Sequence, residues 1–455
     1  MVPAVSRHVR SRRRVQGWWP ADELQIVVRA VDAGDTYLTY RPLVPDANVI
    51  PHRVRAADLT PLLAELASAL PDPIPGEVSG PDHIKRALNG ALTSLQRERK
   101  LSETLGSLVI PPEVWQLVAA AELPVRLRIT PSARLATVPW ELLMLPNGRR
   151  LLEMAILAFE LPPTIHYRRP RRPDSRCIDP ALPPLRTIDP VVPPRTPFRR
   201  AMSAAGRDLI RQRLDVPCQE IVTREDLGAA LRASPPRWVY FGHVSIAEPG
   251  IPGAAGLHLS DAGVRGEPPF GGSGRLYPLG HRALTVIDML IGTREESWFT
   301  HDRPPAALGL SGVDIWPMPP RVALIACNSG ADHTATEPLG LVAATQLLGA
   351  EIVTATRWSL PTDAAFSTLR SYHERMPATE LVLAVDAAHE SADPIVAVRD
   401  WQLGQLAAWE ATGDLGFTPL VFAALTTHHA PAREADGRDP DWPPFADDGT
   451  GDLGR

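Results

Sequence analysis

The chain has 455 residues, a net charge of −5 and 44% hydrophobic residues. That is room for two or three domains with a large buried core, and it excludes both a small stapled scaffold and the basic footprint of a dedicated nucleic-acid binder. Its three cysteines, Cys177, Cys218 and Cys327, are too few for a disulfide framework and show no metal-ligand spacing, and no apolar run approaches the roughly 18 residues of a membrane span. The arginine-rich start, Arg10 to Arg14, leads to Trp18, Trp19 and Pro20 rather than to an apolar signal segment, so the expected location is the cytoplasm. Lysine occurs only at Lys85 and Lys100, a bias towards arginine that fits GC-rich bacterial coding, and the 49 prolines, about twice ordinary usage, imply stiff connectors.

In chain order, Leu24 to Ala30 and Tyr37 to Tyr40 alternate in polarity around Asp32-Ala33-Gly34-Asp35, the pattern of a β-hairpin. Leu59 to Leu70 reads as a helix stopped by Pro71-Asp72-Pro73, and Asp82 to Leu105 as a second, longer one. Pro124 to Thr130 is a strand, followed by Val138-Pro139-Trp140-Glu141-Leu142-Leu143 and an apolar stretch from Leu151 to Leu161. The placement of Trp140 and Glu141 between apolar segments predicts a packed indole and a paired, non-catalytic carboxylate. From Arg168 to Arg200 proline and arginine dominate, as in a linker or a long surface loop.

The second half is more regular. Thr223 and Asp226 form the outline of a capping box before a helix, and Trp238 to Phe241, Val322 to Ala326 and Ile352 to Thr356 are short apolar runs of buried strands. A helix is expected from Thr336 to Leu348, with its stop at Gly349, and another over Ala283 to Ile291 within the Gly/Pro-rich interval from Ser245 to Pro320. Strands alternating with helices imply an α/β fold with a mostly parallel sheet and helices on both faces, whose sites lie beyond the carboxyl ends of the strands. His243 follows one such strand and Cys327 another. An imidazole beside a thiol can take its proton and later protonate a leaving amine, and backbone N–H groups at the strand ends can hold an oxyanion. Cys177 and Cys218 end no strand. His428-His429 and the His333/Asp332 pair lack a metal-binding pattern, the paired histidines are expected in solvent, and Gly271 to Gly274 lacks the Lys-Ser/Thr of a phosphate loop.

Phe241-Gly242-His243, Ala326-Cys327-Asn328-Ser329-Gly330, the Val138 to Leu143 segment, and Glu337-Pro338-Leu339-Gly340 running to Leu348-Gly349-Ala350, Trp358 and Asp363 together resemble the CHAT family, caspase-like cysteine peptidases related to separase and the gingipains. The resemblance extends from Leu105 to His429, with Thr418 to Ala424 similar to the family's closing strand motif. It implies a caspase–haemoglobinase fold, His243 as general acid/base, Cys327 as nucleophile, an oxyanion hole from the N–H groups of Val244 and Cys327, and no metal or organic cofactor. It also implies Trp358 and Asp363 in the substrate pocket, the latter selecting a basic side chain; the alternative for Asp363 is a cap on the helix that follows. Val244 departs from the family's usual glycine after the histidine. The expected organisation is a small N-terminal region with the hairpin (1–78), the N-terminal part of the CHAT-like region (79–170), a Pro/Arg linker (171–200), a caspase-like catalytic region (201–430) and a disordered acidic tail (431–455). The function implied is a cytoplasmic bacterial endopeptidase that cleaves specific protein targets after activation by a protein partner, in a stress or antiphage-defence setting; a silent scaffold or protein-binding module is the alternative.

Overall fold

The computed structural model describes residues 23–74, 77, 80–145, 147–162, 165, 179, 182–214, 220–245, 253–261, 277–292, 310–327, 329–330, 339–367 and 375–430. In chain order the strands are β1 (Gln25–Ala33), β2 (Asp35–Pro42), β3 (Ile50–Val54), β4 (Val125–Thr130), β5 (Ala155–Phe159), β6 (Leu185–Ile188), β7 (Arg237–Gly242), β8 (Val244–Ser245), β9 (Gly256–Leu257), β10 (Leu284–Thr285), β11 (Arg321–Ala326), β12 (Ile352–Thr356) and β13 (Leu425–His429). Ten of them form one sheet in the order β3-β2-β1-β4-β5-β13-β12-β11-β7-β6, and β8, β9 and β10 form a small second sheet.

The large sheet holds two parallel blocks of four strands, with β2 and β3 added antiparallel beyond β1. Strands β1, β4, β5 and β13 run together, β12, β11, β7 and β6 run together, and the blocks meet antiparallel where β13 pairs with β12. The carboxyl ends of β7, β11 and β12 therefore share one edge with the start of β13. Alternation along β7 and β11 sends side chains to two cores: Val239, Phe241, Ala323 and Ile325 to one, and Trp238, Tyr240, Val322, Leu324 and Ala326 to the other. The first core takes Leu59 and Leu66 of the helix Ala56–Ala69, and Leu381, Val382 and Val385 of Pro377–Glu390. The second takes Leu227 and Leu231 of Arg224–Arg232, and Leu341 to Ala344 of Leu341–Leu347. Both faces of this parallel block are thus covered, which explains why its strands read as unbroken apolar runs.

Several expectations change in three dimensions. The hairpin of the small N-terminal region belongs to the main sheet, because β1 pairs in parallel with β4. The long helix expected over Asp82 to Leu105 is instead Gly80–Ala87, a 3-10 turn Ala91–Thr93 and Leu95–Val109. The break falls at Gly90, where a Cβ would lie 2.6 Å from the Ala69 backbone, so the chain turns at the one residue that admits this approach. Leu151 to Leu161 divides into a helical turn, Leu151–Met154, and β5. The Pro/Arg segment contains the edge strand β6, and Thr418 to Ala424 holds a short helix, Pro419–Phe422, ahead of β13. His428 and His429, expected in solvent, are buried in β13, where every residue is covered. The capping box at Thr223 and Asp226 and the helix Val286–Ile291 form as expected, whereas the helix expected from Thr336 begins only at Leu341, after an extended Gly340 at its N-cap, and runs to Leu347; Thr336 itself lies outside the described residues.

Trp140 is fully buried in the first core and donates its indole N–H to the Leu135 carbonyl at 3.3 Å. Trp140→Ala removes that volume and should lower unfolding stability by roughly 3–5 kcal/mol, read as a shifted midpoint in urea denaturation.

Candidate active site

The register of two neighbouring parallel strands builds the site. Ala326 of β11 is paired with Gly242 of β7, so the next residues, Cys327 and His243, leave the sheet side by side on the shared edge. A Cβ at Gly242 would come within 2.8 Å of the Tyr240 hydroxyl. With glycine there, that hydroxyl reaches under the turn and shares its one proton between the carbonyls of His243 (2.8 Å) and His258 (2.9 Å). Cys327 is set by a knot at the end of β12: the Thr356 hydroxyl donates to the Ala326 carbonyl, and the Thr356 and Gly330 backbones bond with the Ser329 hydroxyl and the Thr356 carbonyl at 3.1 and 2.8 Å.

The two side chains have different partners. The Cys327 thiol faces the Ser359 hydroxyl and the Leu360 N–H; burial pushes its pKa up, these donors partly oppose the shift, and the Asp72 carboxylate adds to it. The residue itself keeps some exposure. Asp72, which the sequence marks only as part of a helix stop, accepts from the Ser359 N–H at 2.9 Å and so ties the N-terminal region to the wall of the site. His243 donates from Nε2 to the Arg199 carbonyl, and its ring lies 5.3 Å from that of Phe198. No hydrogen bond joins the imidazole to the thiol in this arrangement. Val244 pairs with Leu257 in β8 and is absent from the positive-φ positions, so its backbone does not need glycine's conformational range.

Beside His243 lies a group that the sequence does not announce. Ser245 Oγ is 2.6 Å from His258 Nε2, His258 Nδ1 is 2.9 Å from His281 Nε2, and His281 Nδ1 is 2.8 Å from the Asp261 carbonyl. That carbonyl only accepts, so His281 carries its proton on Nδ1, His258 donates to it from Nδ1, and Ser245 donates its hydroxyl proton to His258. Both histidines are fully buried. Burial holds His258 down at about 2, and the neighbouring His281 and His243 add to the shift; burial also lowers His281. Only the spacing of His258 and His281 in a Gly/Pro-rich interval was visible in sequence, and nothing in that spacing marks a contact.

Glu141 behaves as expected of a paired carboxylate. It meets the Arg357 guanidinium, which also donates to the carbonyls of Val138 and Leu425, and all of this is buried. Burial raises the Glu141 carboxyl and lowers Arg357, each opposed by the partner's charge. Trp358 is buried and donates to the Leu420 carbonyl at 2.9 Å. The helix Asp363–Phe366 is capped by Thr362, not Asp363. The Asp363 carboxylate instead accepts from the N–H groups of Ala378 (2.8 Å) and Thr379 (3.3 Å) and from the Thr379 hydroxyl (2.6 Å), at the start of Pro377–Glu390. Pairing with a substrate cation would require it to give up these bonds. Cys177, Cys218, Asp332, His333, Gly271 to Gly274 and the tail 431–455 lie outside the described residues. Among the described residues no cluster of three or more His, Cys, Asp or Glu is arranged to hold a metal, and no helix is long and apolar enough to cross a membrane.

The model of the CHAT domain family matches residues 99–394, about two thirds of the chain. The chain belongs to the CHAT domain family. The match begins in the helix Leu95–Val109 and ends at the first residue of Pro394–Thr412, so it leaves out β1 to β3 and β13 of the large sheet. Among solved structures, this CHAT chain is similar to separase in the Saccharomyces cerevisiae separase–securin complex, at 12% identity and a TM-score of 0.40. The likeness covers 90% of this chain and 30% of that one. A comparison with curated proteins finds no match.

Two outcomes follow for the CHAT chain. Glu141→Ala leaves the Arg357 charge buried and uncompensated and should cost roughly 3–5 kcal/mol in urea denaturation, with Glu141→Gln costing less because it keeps an acceptor. His258 at about 2 and His389 at about 3 stay neutral in the folded chain, while the unfolded chain binds protons below its ordinary imidazole value. Stability should therefore be full above about pH 6.5 and fall as pH drops towards those values, by up to ~1.4 kcal/mol per pH unit for each histidine. Denaturation midpoints at pH 7.5, 6.5 and 5.5 check the slope.

Proposed function

We propose that this CHAT protein is a cysteine endopeptidase in which Cys327 is the nucleophile and His243 the general acid/base. The observation that carries the reading is the Gly242–Ala326 register, which delivers a thiol and an imidazole to adjacent exits of one sheet edge. In the reaction, His243 takes the Cys327 proton, and the sulfur bonds to the carbonyl carbon of a substrate peptide to form a tetrahedral oxyanion facing the N–H groups of Val244 and Cys327. The imidazolium then protonates the leaving amine as the C–N bond breaks, and water hydrolyses the thioester with His243 again as base.

The arrangement described corresponds to a resting state on this reading. The thiol is held in its protonated form by burial and by Asp72, and the His243 Nε2 proton is committed to the Arg199 carbonyl. Activation must free the imidazole from Arg199 and turn it to the thiol, a change that a protein partner can supply by binding the freed conformation more tightly. Trp358 and Asp363 bracket the Ser359 to Thr362 segment next to the thiol, and we assign them to shaping the substrate pocket through that segment rather than by touching substrate. Cleavage of specific protein targets in a bacterial defence or stress response is the setting we infer. The second reading, a silent protein-binding scaffold, is favoured by the lack of an imidazole–thiol bond at rest.

The test is cleavage of a peptide library by the full chain in the presence of its activating lysate. Cys327→Ala and His243→Ala should each abolish cleavage with the melting temperature unchanged to within about 2 °C, since neither change removes much buried volume. Cleavage that persists in either variant points to another nucleophile, and no cleavage by the parent chain under any activating condition favours the scaffold.

A further inference from the structure

The segment Pro197 to Arg200 occupies the site as a ligand would. Phe198 lies with its ring 3.8 Å from that of His258, 5.3 Å from that of His243 and 5.3 Å from that of Tyr277, while the next carbonyl, that of Arg199, accepts from His243 Nε2. The segment is clipped to the sheet from behind. The Asp189 carboxylate, just past β6, accepts from the N–H groups of Ala201 (2.8 Å) and Met202 (3.3 Å), and Arg200 donates to the Asp189 carbonyl at 2.6 Å. Asp189 and Arg195 both have positive φ, a conformation unfavourable for their side chains and one that the clip must hold. Phe198 is only half-buried, so it can leave.

The wall it rests on is built in advance. His258 is fully buried and its ring is held on both edges, by Ser245 on one side and His281 on the other, with every proton in the chain assigned by the Asp261 carbonyl. Burial keeps that ring neutral across the physiological range, so it offers a π face and not a cation. Tyr277 stands nearly perpendicular to both His258 and Phe198, at 71° and 69°, as an edge-on second wall. A fixed neutral imidazole and a tyrosine, side by side and next to a histidine that bonds a peptide carbonyl, suit an aromatic side chain presented by an extended backbone.

We propose that His258 and Tyr277 form a binding pocket for an aromatic side chain of a peptide ligand, and that Phe198 of the same chain fills this pocket at rest. The pocket rests on the peptidase reading and deepens it by naming the substrate class, a peptide with an aromatic residue seated beside His243 in place of Phe198, with the imidazole left free to turn to the thiol. Ser245 and His281 are positioning residues that act through the His258 ring. An incoming substrate competes with Phe198, so the intramolecular ligand also sets a threshold on binding.

The experiment uses the full chain carrying Cys327→Ala, which prevents turnover, and two fluorescein-labelled peptides followed by anisotropy: Arg-Thr-Pro-Phe-Arg-Arg and the same peptide with alanine for phenylalanine. With Phe198→Ala added, the phenylalanine peptide should bind about tenfold more tightly than the alanine peptide, and about tenfold more tightly than it binds the chain that keeps Phe198. Tyr277→Ala on that background should remove the difference between the peptides. Phe198→Leu, which keeps most of the apolar bulk, guards against a folding defect: its melting temperature should match that of the parent chain and its discrimination should fall between the two. Equal binding of both peptides to the opened chain, or no binding, overturns the pocket. The thiol is absent throughout, so discrimination retained in a protein that never cleaves leaves the pocket standing without the peptidase. Equal binding alongside His243-dependent cleavage removes the pocket and leaves the peptidase.

Discussion

The buried pair between Glu141 and Arg357 sits where the sheet changes direction. Strand β12 ends at Thr356 and β13 begins at Leu425, paired with Thr356 across the antiparallel seam between the two parallel blocks. Arg357 is the next residue, and its guanidinium gathers the Val138 carbonyl, the Glu141 carboxylate and the Leu425 carbonyl. One cation thereby joins the segment before β5, the end of β12 and the start of β13. The pair is not fully satisfied, since Glu141 Oε2 and Arg357 Nε lack partners. Such a pair adds little net stability, because burying two charges costs about as much as their attraction returns.

The site depends on that arrangement through a short path. Immediately after Arg357 come Trp358, anchored on the Leu420 carbonyl, and then Ser359 and Leu360, which face the thiol. Thr356, immediately before, clamps the carbonyl of the residue preceding Cys327. The thiol is thus framed by residues within four positions of the arginine, and Asp72 from the N-terminal region closes the frame by holding Ser359. On the histidine side the frame is polar: Tyr240, His258 and His281 fix the His243 turn, and the Arg199 carbonyl and the Phe198 ring sit against the imidazole. Among the described residues the two halves are joined by the pairing of Ala326 with Gly242.

Much of this was legible in the residues. The strands around the site are unbroken apolar runs because helices cover both faces, and the two reactive side chains directly follow such runs, so their shared edge followed from a parallel sheet alone. Trp140 and Glu141 were legible as a packed indole and a paired carboxylate because an acid between apolar segments must find a partner. Less was visible wherever the partner is remote. Asp363 has the residue type of a cap, yet the helix it serves begins fourteen residues later, at Pro377, and Thr362 takes the nearer one. His428 and His429 look like solvated termini, but β13 is inserted between two strands of the sheet, which no local pattern encodes.

By itself, then, the sequence determined the α/β class and the position of most strands, and it placed a histidine and a cysteine directly after two of them, since periodicity and strand ends are local properties of neighbouring residues. The tertiary structure alone decided that the N-terminal hairpin extends the main sheet, that the Pro/Arg segment carries its edge strand and lays Phe198 and Arg199 on the histidine, and that Ser245, His258 and His281 form one hydrogen-bonded chain. Each of these joins residues through strand order or loop placement, and such contacts are set by the packing of the whole sheet rather than by the propensity of any segment.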